Sequence, residues 1–394
     1  MRRLFLIVIL VSPNPLFSAE ADIPAALRAI KAVSREGQGN DAAASGWATL
    51  AKSGGAALFP TLEAMKDAND TAANWLMTAI DAIAQSEATA GRKLPAEKLE
   101  AFIKDSTQSP RARRLAFEWL VKENPTRRDS LLASFVDDPS LELRRDAIAL
   151  GIEQTEKPSE GSRPTSLQRY QRLFTSARDK DQVEAIAKSL EKLGTKPSIT
   201  EHFGYVTHWH LVGPFDSTDG KGYNVAYPPE TKVDLKAKLK GKDGNEVAWV
   251  PFVTTDRYAT VDLNKGLDKH KFAAAYAFAT VQAEKEQPVE IRIASQNAVQ
   301  IFLNGQRIFQ REEYHHGTRM DQHIGRATLK AGANELLVKV CQNNQDQSWA
   351  QAWAIQCRLC DFTGGGLPVS QVAEGKTMKL GFTPDPKELP KGKN

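Results

Sequence analysis

The chain has 394 residues, 41% of them hydrophobic and 25% charged. That length predicts two or three domains at roughly 100 to 200 residues each, and the balance excludes a wholly disordered or collagenous polymer. Lys and Arg number 52 against 48 Asp and Glu, an excess too small and dispersed for phosphate neutralisation, so no nucleic-acid partner is expected.

At the start, Met1-Arg2-Arg3 precede an apolar run from Leu4 to Val11. Ser12, Pro13 and Pro15 follow, and then Ala19-Glu20-Ala21. A charged beginning, a short apolar middle and a small-residue exit form the pattern of an export signal, read here as residues 1–21. A helix needs roughly twenty apolar residues to span a bilayer, so no integral membrane segment is expected after cleavage. With no Cys near the exit, a lipid anchor is not expected either. The expected address is periplasmic or secreted, at the cell envelope.

Composition then changes near residue 200. Residues 22–200 hold four Val, one Tyr and no His or Cys, whereas residues 201–363 hold 13 Val, six Tyr, all seven His and all three Cys. The second set is β-branched and aromatic, as strands require. In the first part apolar residues recur every three or four positions, as in Trp75, Leu76, Ala79, Ile80 and Ile83, predicting an amphipathic helix. Further helices are predicted at Ala96–Lys104, Arg111–Lys122, Arg128–Val136, Leu141–Ile152, Leu167–Ala177 and Gln182–Leu193, most bounded by Pro, Gly or Asp. Arg113-Arg114-Leu115-Ala116 recurs as Arg144-Arg145-Asp146-Ala147, each shortly after a Pro, which predicts a helical repeat.

The stretch Asp137-Asp138-Pro139-Ser140-Leu141-Glu142-Leu143-Arg144-Arg145-Asp146-Ala147 resembles the inner part of a HEAT-type repeat, and Ser109 to Leu120 resembles it less closely. The resemblance implies an irregular HEAT- or armadillo-like α-solenoid over residues 22–200. A solenoid of this kind offers a concave protein-binding face, or serves as a platform for a second domain.

Residues 201–363 alternate in polarity. Val289, Ile291 and Ile293 fall on one face, and Val299, Ile301 and Leu303 repeat the pattern before Asn304-Gly305, a hairpin signal. Other strands are predicted at Val206–Val212, Val247–Phe252, Phe272–Val281, Gln322–Leu329, Glu335–Gln342 and Ser348–Leu359. Antiparallel strands in that number predict a β-sandwich or jelly roll, so the fold class is α + β multidomain. Residues 364–394, with Gly364-Gly365-Gly366, scattered Pro and several Lys, predict a flexible tail.

Three stretches of this second part resemble a known module. His208-Trp209-His210-Leu211-Val212-Gly213-Pro214-Phe215, then Tyr227-Pro228-Pro229-Glu230, then Val299 to Gly305 with Gly332 to Val340, are similar to the galactose-binding-like β-sandwich of exported bacterial proteins. The resemblance implies glycan or protein binding without catalysis. Many such modules carry an acidic pair where Gln296-Asn297 stands here. Neutral amides hold Ca²⁺ poorly, which weakens the case for a Ca²⁺-dependent sugar site.

For catalysis the chain offers no GxSxG elbow, HExxH helix or P-loop, so a non-catalytic role is expected and no cofactor. The strongest chemical cluster is Glu312-Glu313-Tyr314-His315-His316 with His323 nearby. These groups suit a metal or proton transfer, and the competing reading is a polar loop after a hairpin. That cluster keeps a metal-dependent hydrolase, or an accessory module of a polysaccharide-degrading system, as the alternative function. His208 and His210 share one strand face about 7 Å apart but have no third ligand in view. Cys357-Arg358-Leu359-Cys360 has redox spacing without a redox context; buried thiols or one Cys341 bridge to Cys357 or Cys360 are expected. A sugar site needs exposed rings and amides. Trp349 and Trp353 share a strand face with Ile355, Cys357 and Leu359 and read as core. Tyr258, Gln296, Asn297, Asn304, Arg311 and Tyr314 are therefore the expected ligand-binding residues. The expected partners are a cell-envelope polysaccharide on the sandwich and a protein on the solenoid.

Overall fold

The computed structural model describes residues 22–157, 163–373 and 376–380. The export signal expected at 1–21 and the chain beyond Leu380 lie outside the described residues. The chain divides into two compact units between Leu143 and Arg144.

The unit ending at Leu143 is helical. It comprises α1 (Ile23–Lys31), α2 (Asn40–Ser53), α3 (Gly55–Ala64), α4 (Asp70–Thr89), α5 (Ala96–Lys104), α6 (Pro110–Glu123) and α7 (Arg128–Leu132). α4 begins where Asn69 accepts a hydrogen bond from Ala72 N at 2.9 Å through its side chain, a cap worth about 1 kcal/mol. The same side chain donates to Val33 O at 2.8 Å, tying the helix start to an earlier turn. Of the predicted face, Leu76, Ala79, Ile80 and Ile83 are buried and Trp75 is half-buried. α1 packs on α2, both α2 and α3 on α4, and α5 on α6.

The first repeat arginine has a structural role. Arg113 is fully buried on α6, donating to Ile103 O at 2.6 Å and to both oxygens of Asp138 at 2.8 and 2.7 Å. A guanidinium withdrawn from water needs such bidentate compensation.

The unit beginning at Arg144 contains the remainder of α8 (Leu141–Glu156), then α9 (Arg163–Ser176), α10 (Lys180–Lys192) and α11 (Ile199–Phe203). Helix gives way to strand between Phe203 and His208, close to the compositional change. The strands are β1 (His208–Asp216), β2 (Lys238–Lys240), β3 (Glu246–Ala248), β4 (Val250–Val253), β5 (Val261–Asp262), β6 (Ala273–Ala283), β7 (Gln287–Ser295), β8 (Ala298–Leu303), β9 (Gln306–Arg311), β10 (His323–Leu329), β11 (Gly332–Gln342), β12 (Ala354–Cys360), β13 (Val369–Ala373) and β14 (Lys376–Leu380). The larger sheet runs β14-β13-β6-β11-β8-β9 with β1 on β6 and β4 on β1; the smaller runs β10-β7-β12-β5. All the pairings within these two sheets are antiparallel.

Alternation places the core. Val289, Ile291 and Ile293 from β7 and Ile355, Cys357 and Leu359 from β12 meet Val299, Ile301, Leu303, Leu336, Val338 and Val340 from the larger sheet in one buried cluster. That is the sandwich-like arrangement expected of two sheets with one apolar face each. The larger sheet is buried on its other face as well, where Phe215, Tyr223, Trp249, Tyr276, Phe278 and Phe302 gather. Two-sided burial explains why β6 reads Ala-Ala-Ala-Tyr-Ala-Phe-Ala without polar alternation: Ala273, Ala275, Ala277 and Ala279 face the inner core while Tyr276 and Phe278 face the outer cluster, where Phe215 and Tyr276 meet edge to face at 5.6 Å.

Two expectations change here. Residues 369–373 and 376–380, read as part of a flexible tail, form two antiparallel strands, the first of which pairs with β6. Gln371 is fully buried, its side-chain oxygen accepting from Thr207 N at 3.2 Å and His208 N at 3.1 Å while its amide donates to His208 O. The glycines and Pro368 before it hid a strand of only five residues. Trp349, read as core, lies on a single 3-10 turn (Ser348–Ala350) with 58% of its surface exposed. Strand β12 starts only at Ala354, so Trp353 alone of the two is buried. The three thiols are free and buried. Cys341 faces the outer cluster of the larger sheet and Cys357 the inner core. Cys360, three positions along the strand from Cys357, donates to Glu290 O at 3.4 Å. Burial holds the Cys341 thiol up at about 12 and that of Cys360 at about 11, so both stay protonated.

Candidate functional site

Hairpin β8–β9 closes through Asn304-Gly305 with φ of 52° and 79°, the left-handed pair that a two-residue turn of this kind requires. Its second strand ends at Arg311, and residues 312–322 then loop away before β10 returns beside β7, His323 opposite Ile293. The loop is tied to the smaller sheet by His315 N donating to Gln296 O at 2.6 Å and by Ser295 N donating to Gln322 Oε1 at 3.3 Å.

Three side chains of this segment converge. One ligand atom from each of Glu313, His316 and His323 lies within 4.8 Å of the others, and all three residues are half-buried. His316 Nε2 stands 3.5 Å from Glu313 Oε2. The His323 ring stacks on Phe309 at 5.2 Å and meets His316 edge to face at 6.1 Å. Desolvation, with the neighbouring His316, lowers the pKa of His323. A hydrogen bond from Arg311 holds the Glu313 carboxyl below its ordinary range. Arg311, Glu313, Arg319, Gln322 and His323 line a cleft of about 590 Å³.

A second loop closes on the first. His315 Nε2 is hydrogen-bonded to Asn343 Oδ1, and its ring meets the edge of exposed Trp349 at 5.5 Å. Asn343 in turn donates to Gln345 Oε1 at 3.0 Å. An aromatic platform with amides beside it is therefore available between residues 343 and 351, the last four of which read as the start of a core strand. Its signal was the polar run Asn343 to Ser348 before Trp349, which no buried strand carries.

Of the six residues expected to bind ligand, Gln296, Arg311 and Tyr314 belong to this region. Tyr314 packs against the outer cluster, and its buried hydroxyl has no hydrogen-bond partner. Asn297 is buried, donating to Gln342 Oε1 and Ala352 O at 3.1 Å each and accepting from Ala354 N at 3.3 Å; its amide braces loops. Asn304 accepts from Glu335 N at 2.9 Å and donates to Asn334 Oδ1 at 3.0 Å, bracing the turn. Tyr258 is tied to α10, its hydroxyl donating to Glu184 with Lys180 Nζ 4.3 Å from the ring centroid. Another cleft, of about 540 Å³, contains Asp256. That carboxylate is occupied by Tyr258 N and Thr260 N at 3.0 Å each and Thr260 Oγ1 at 2.9 Å. On β1, His208 Nδ1 pairs with Thr207 Oγ1 at 2.9 Å, and neither His208 nor His210 joins a three-ligand group among the described residues.

No family model and no curated protein matches the chain. Among solved structures, an anti-sigma factor domain-containing protein aligns at TM-score 0.20 and 9% identity, over 45% of this chain and 79% of its own. A beta-glucuronidase from an uncultured Clostridium sp. aligns at TM-score 0.22 and 13% identity, over 39% of this chain and 28% of its own. Likenesses of this size carry no argument about activity.

Proposed function

We propose that this chain is an exported, non-catalytic binding protein whose β-sandwich takes a cell-envelope glycan. The supporting observation is Trp349, 58% exposed and braced edge-on by His315. Pyranose CH faces stack on such an indole while hydroxyls pair with amides, here Gln345. In this reading the β-sandwich is of the jelly-roll, galactose-binding-like type. The helices form a short HEAT-like solenoid that engages a protein partner, with Arg113 and Arg144 as its repeated buried arginines.

Affinity electrophoresis of the full chain through neutral and acidic polysaccharides tests the glycan half. Retardation by at least one polymer, lost in Trp349→Ala, is the expected result. Mobility equal to that of an inert control in every gel would end the reading.

A further inference from the structure

We propose that Glu313, His316 and His323 form a binding site for one divalent transition-metal ion of the zinc class. The donors come from two elements, the loop after β9 and the first residue of β10, in the order Glu-x2-His-x6-His. A tetrahedral ion with bonds of about 2.0–2.2 Å separates its ligand atoms by roughly 3.3–3.5 Å. The observed 3.5 Å between His316 Nε2 and Glu313 Oε2 already has that span, and the third donor lies within the 4.8 Å group.

The donor atoms are also prepared for an ion. His316 Nε2 is buried and has no hydrogen-bond partner. Its other ring nitrogen accepts from Gln322 Nε2 at 2.7 Å and lies 3.3 Å from Gly317 O. With Gln322 donating to Nδ1, the ring proton of the metal-free protein sits on Nε2 beside Glu313, and ion binding moves it to Nδ1, where the Gly317 carbonyl is the acceptor. Arg311 pairs with Glu313 through Oε1, so Oε2 is left for the ion. Phe309 fixes the His323 ring by stacking.

Two imidazoles with one carboxylate favour Zn²⁺, Co²⁺ or Ni²⁺ over Ca²⁺ and Mg²⁺, which require oxygen ligands. The three thiols are buried elsewhere and supply no competing soft site. Three protein ligands leave a fourth position, and Glu313 and His323 both line the cleft from which a water or ligand oxygen reaches it. The inference is independent of glycan binding, since Trp349 is not a donor.

The test uses the full, untagged chain, stripped with chelator and titrated with Co²⁺ and then Zn²⁺. One Co²⁺ per chain, with the intense visible bands of a four-coordinate ion that Zn²⁺ abolishes, is expected. Glu313→Gln, His316→Ala and His323→Ala should each lose the bands. Gln322→Ala, an outer partner, should weaken binding about 10- to 100-fold. His270→Ala should bind as the parent does. Glu313→Gln keeps the side-chain shape, so its loss of binding with an unchanged metal-free melting curve separates ligation from folding. Absence of stoichiometric binding in the parent, or binding that survives all three ligand substitutions, would overturn the proposal.

Discussion

Two regions of the second unit carry the same kinds of side chain in opposite states. Over the outer face of the larger sheet, Lys339 is 1% exposed, and its ammonium donates to Glu230 at 2.8 Å, Tyr223 O at 3.1 Å and Val225 O at 2.6 Å. Tyr276 donates to the same carboxylate and Gln300 to the same Tyr223 carbonyl. Every ammonium proton is used, and the result clamps the covering segment onto the sheet. In the loop after β9, Glu313 also stands beside a cation and aromatic rings, yet polar atoms remain unspent. Tyr314 Oη, His315 Nδ1 and His316 Nε2 are three of the six buried side-chain polar atoms without a partner among the described residues. A satisfied buried pair is architecture. A run of converging, unsatisfied donors and acceptors is where a ligand has something to gain.

The largest test of that distinction is Lys339→Ala, which leaves Glu230 buried without its cation. Urea unfolding should show a loss of about 3–5 kcal/mol, the cost of breaking a buried ion pair from one side. A loss below about 1 kcal/mol would mean the clamp is as dispensable as an exposed pair.

His202 tests burial of a titrating group with the sign reversed. Desolvation first, then the nearby Arg178, holds its pKa at about 3, and its Nε2 lies 3.0 Å from Ala177 O. The neutral ring is thus at home in the fold, whereas the unfolded chain takes up a proton near 6.5. Its contribution is complete above about 6.5 and is lost as pH falls towards 3, with a slope of at most about 1.4 kcal/mol per pH unit. Stability measured from pH 7 to 4 should fall less steeply in His202→Gln than in the parent; parallel curves would refute the assignment.

Asn297→Ala should cost about 1–3 kcal/mol by orphaning Gln342, Ala352 and Ala354 partners, while polysaccharide retardation persists. If retardation disappears in a variant that still melts cooperatively, Asn297 belongs to the site after all. The smallest stability effect is expected for Trp349→Ala, within about 0.5 kcal/mol because the ring is mostly exposed. A larger change in its thermal unfolding would make Trp349 a packing residue.

Much of this fold was legible in advance. Segment α5 has the predicted limits Ala96–Lys104, and α6, α8 and α10 lie within a few residues of expectation. The strands around Val289 to Leu303 follow their alternation. The candidate site was legible only as a cluster of residue types. Glu313, His316 and His323 are close in sequence, but nothing local distinguishes them from Glu312, which lies outside the group, or from His315, which pairs with Asn343. Tyr258, Asn297 and Asn304 looked like rim residues because amides and phenols are polar, while each is engaged by the protein itself.

What the sequence determined by itself is therefore the kind and order of the elements: a helical part, then antiparallel strands, with a left-handed turn at Asn304-Gly305. Helical period, strand alternation and turn backbone are short-range properties, decided within a few residues. Only the tertiary structure decided that residues 369–373 join β6, that Trp349 faces water while Trp353 is core, that Cys341 joins the outer cluster while Cys357 of the smaller sheet joins the inner core, and that three ligands meet beside one cleft. Each of these depends on which distant strand or loop comes alongside, and pairing across many residues leaves no periodic trace in the segment that undergoes it.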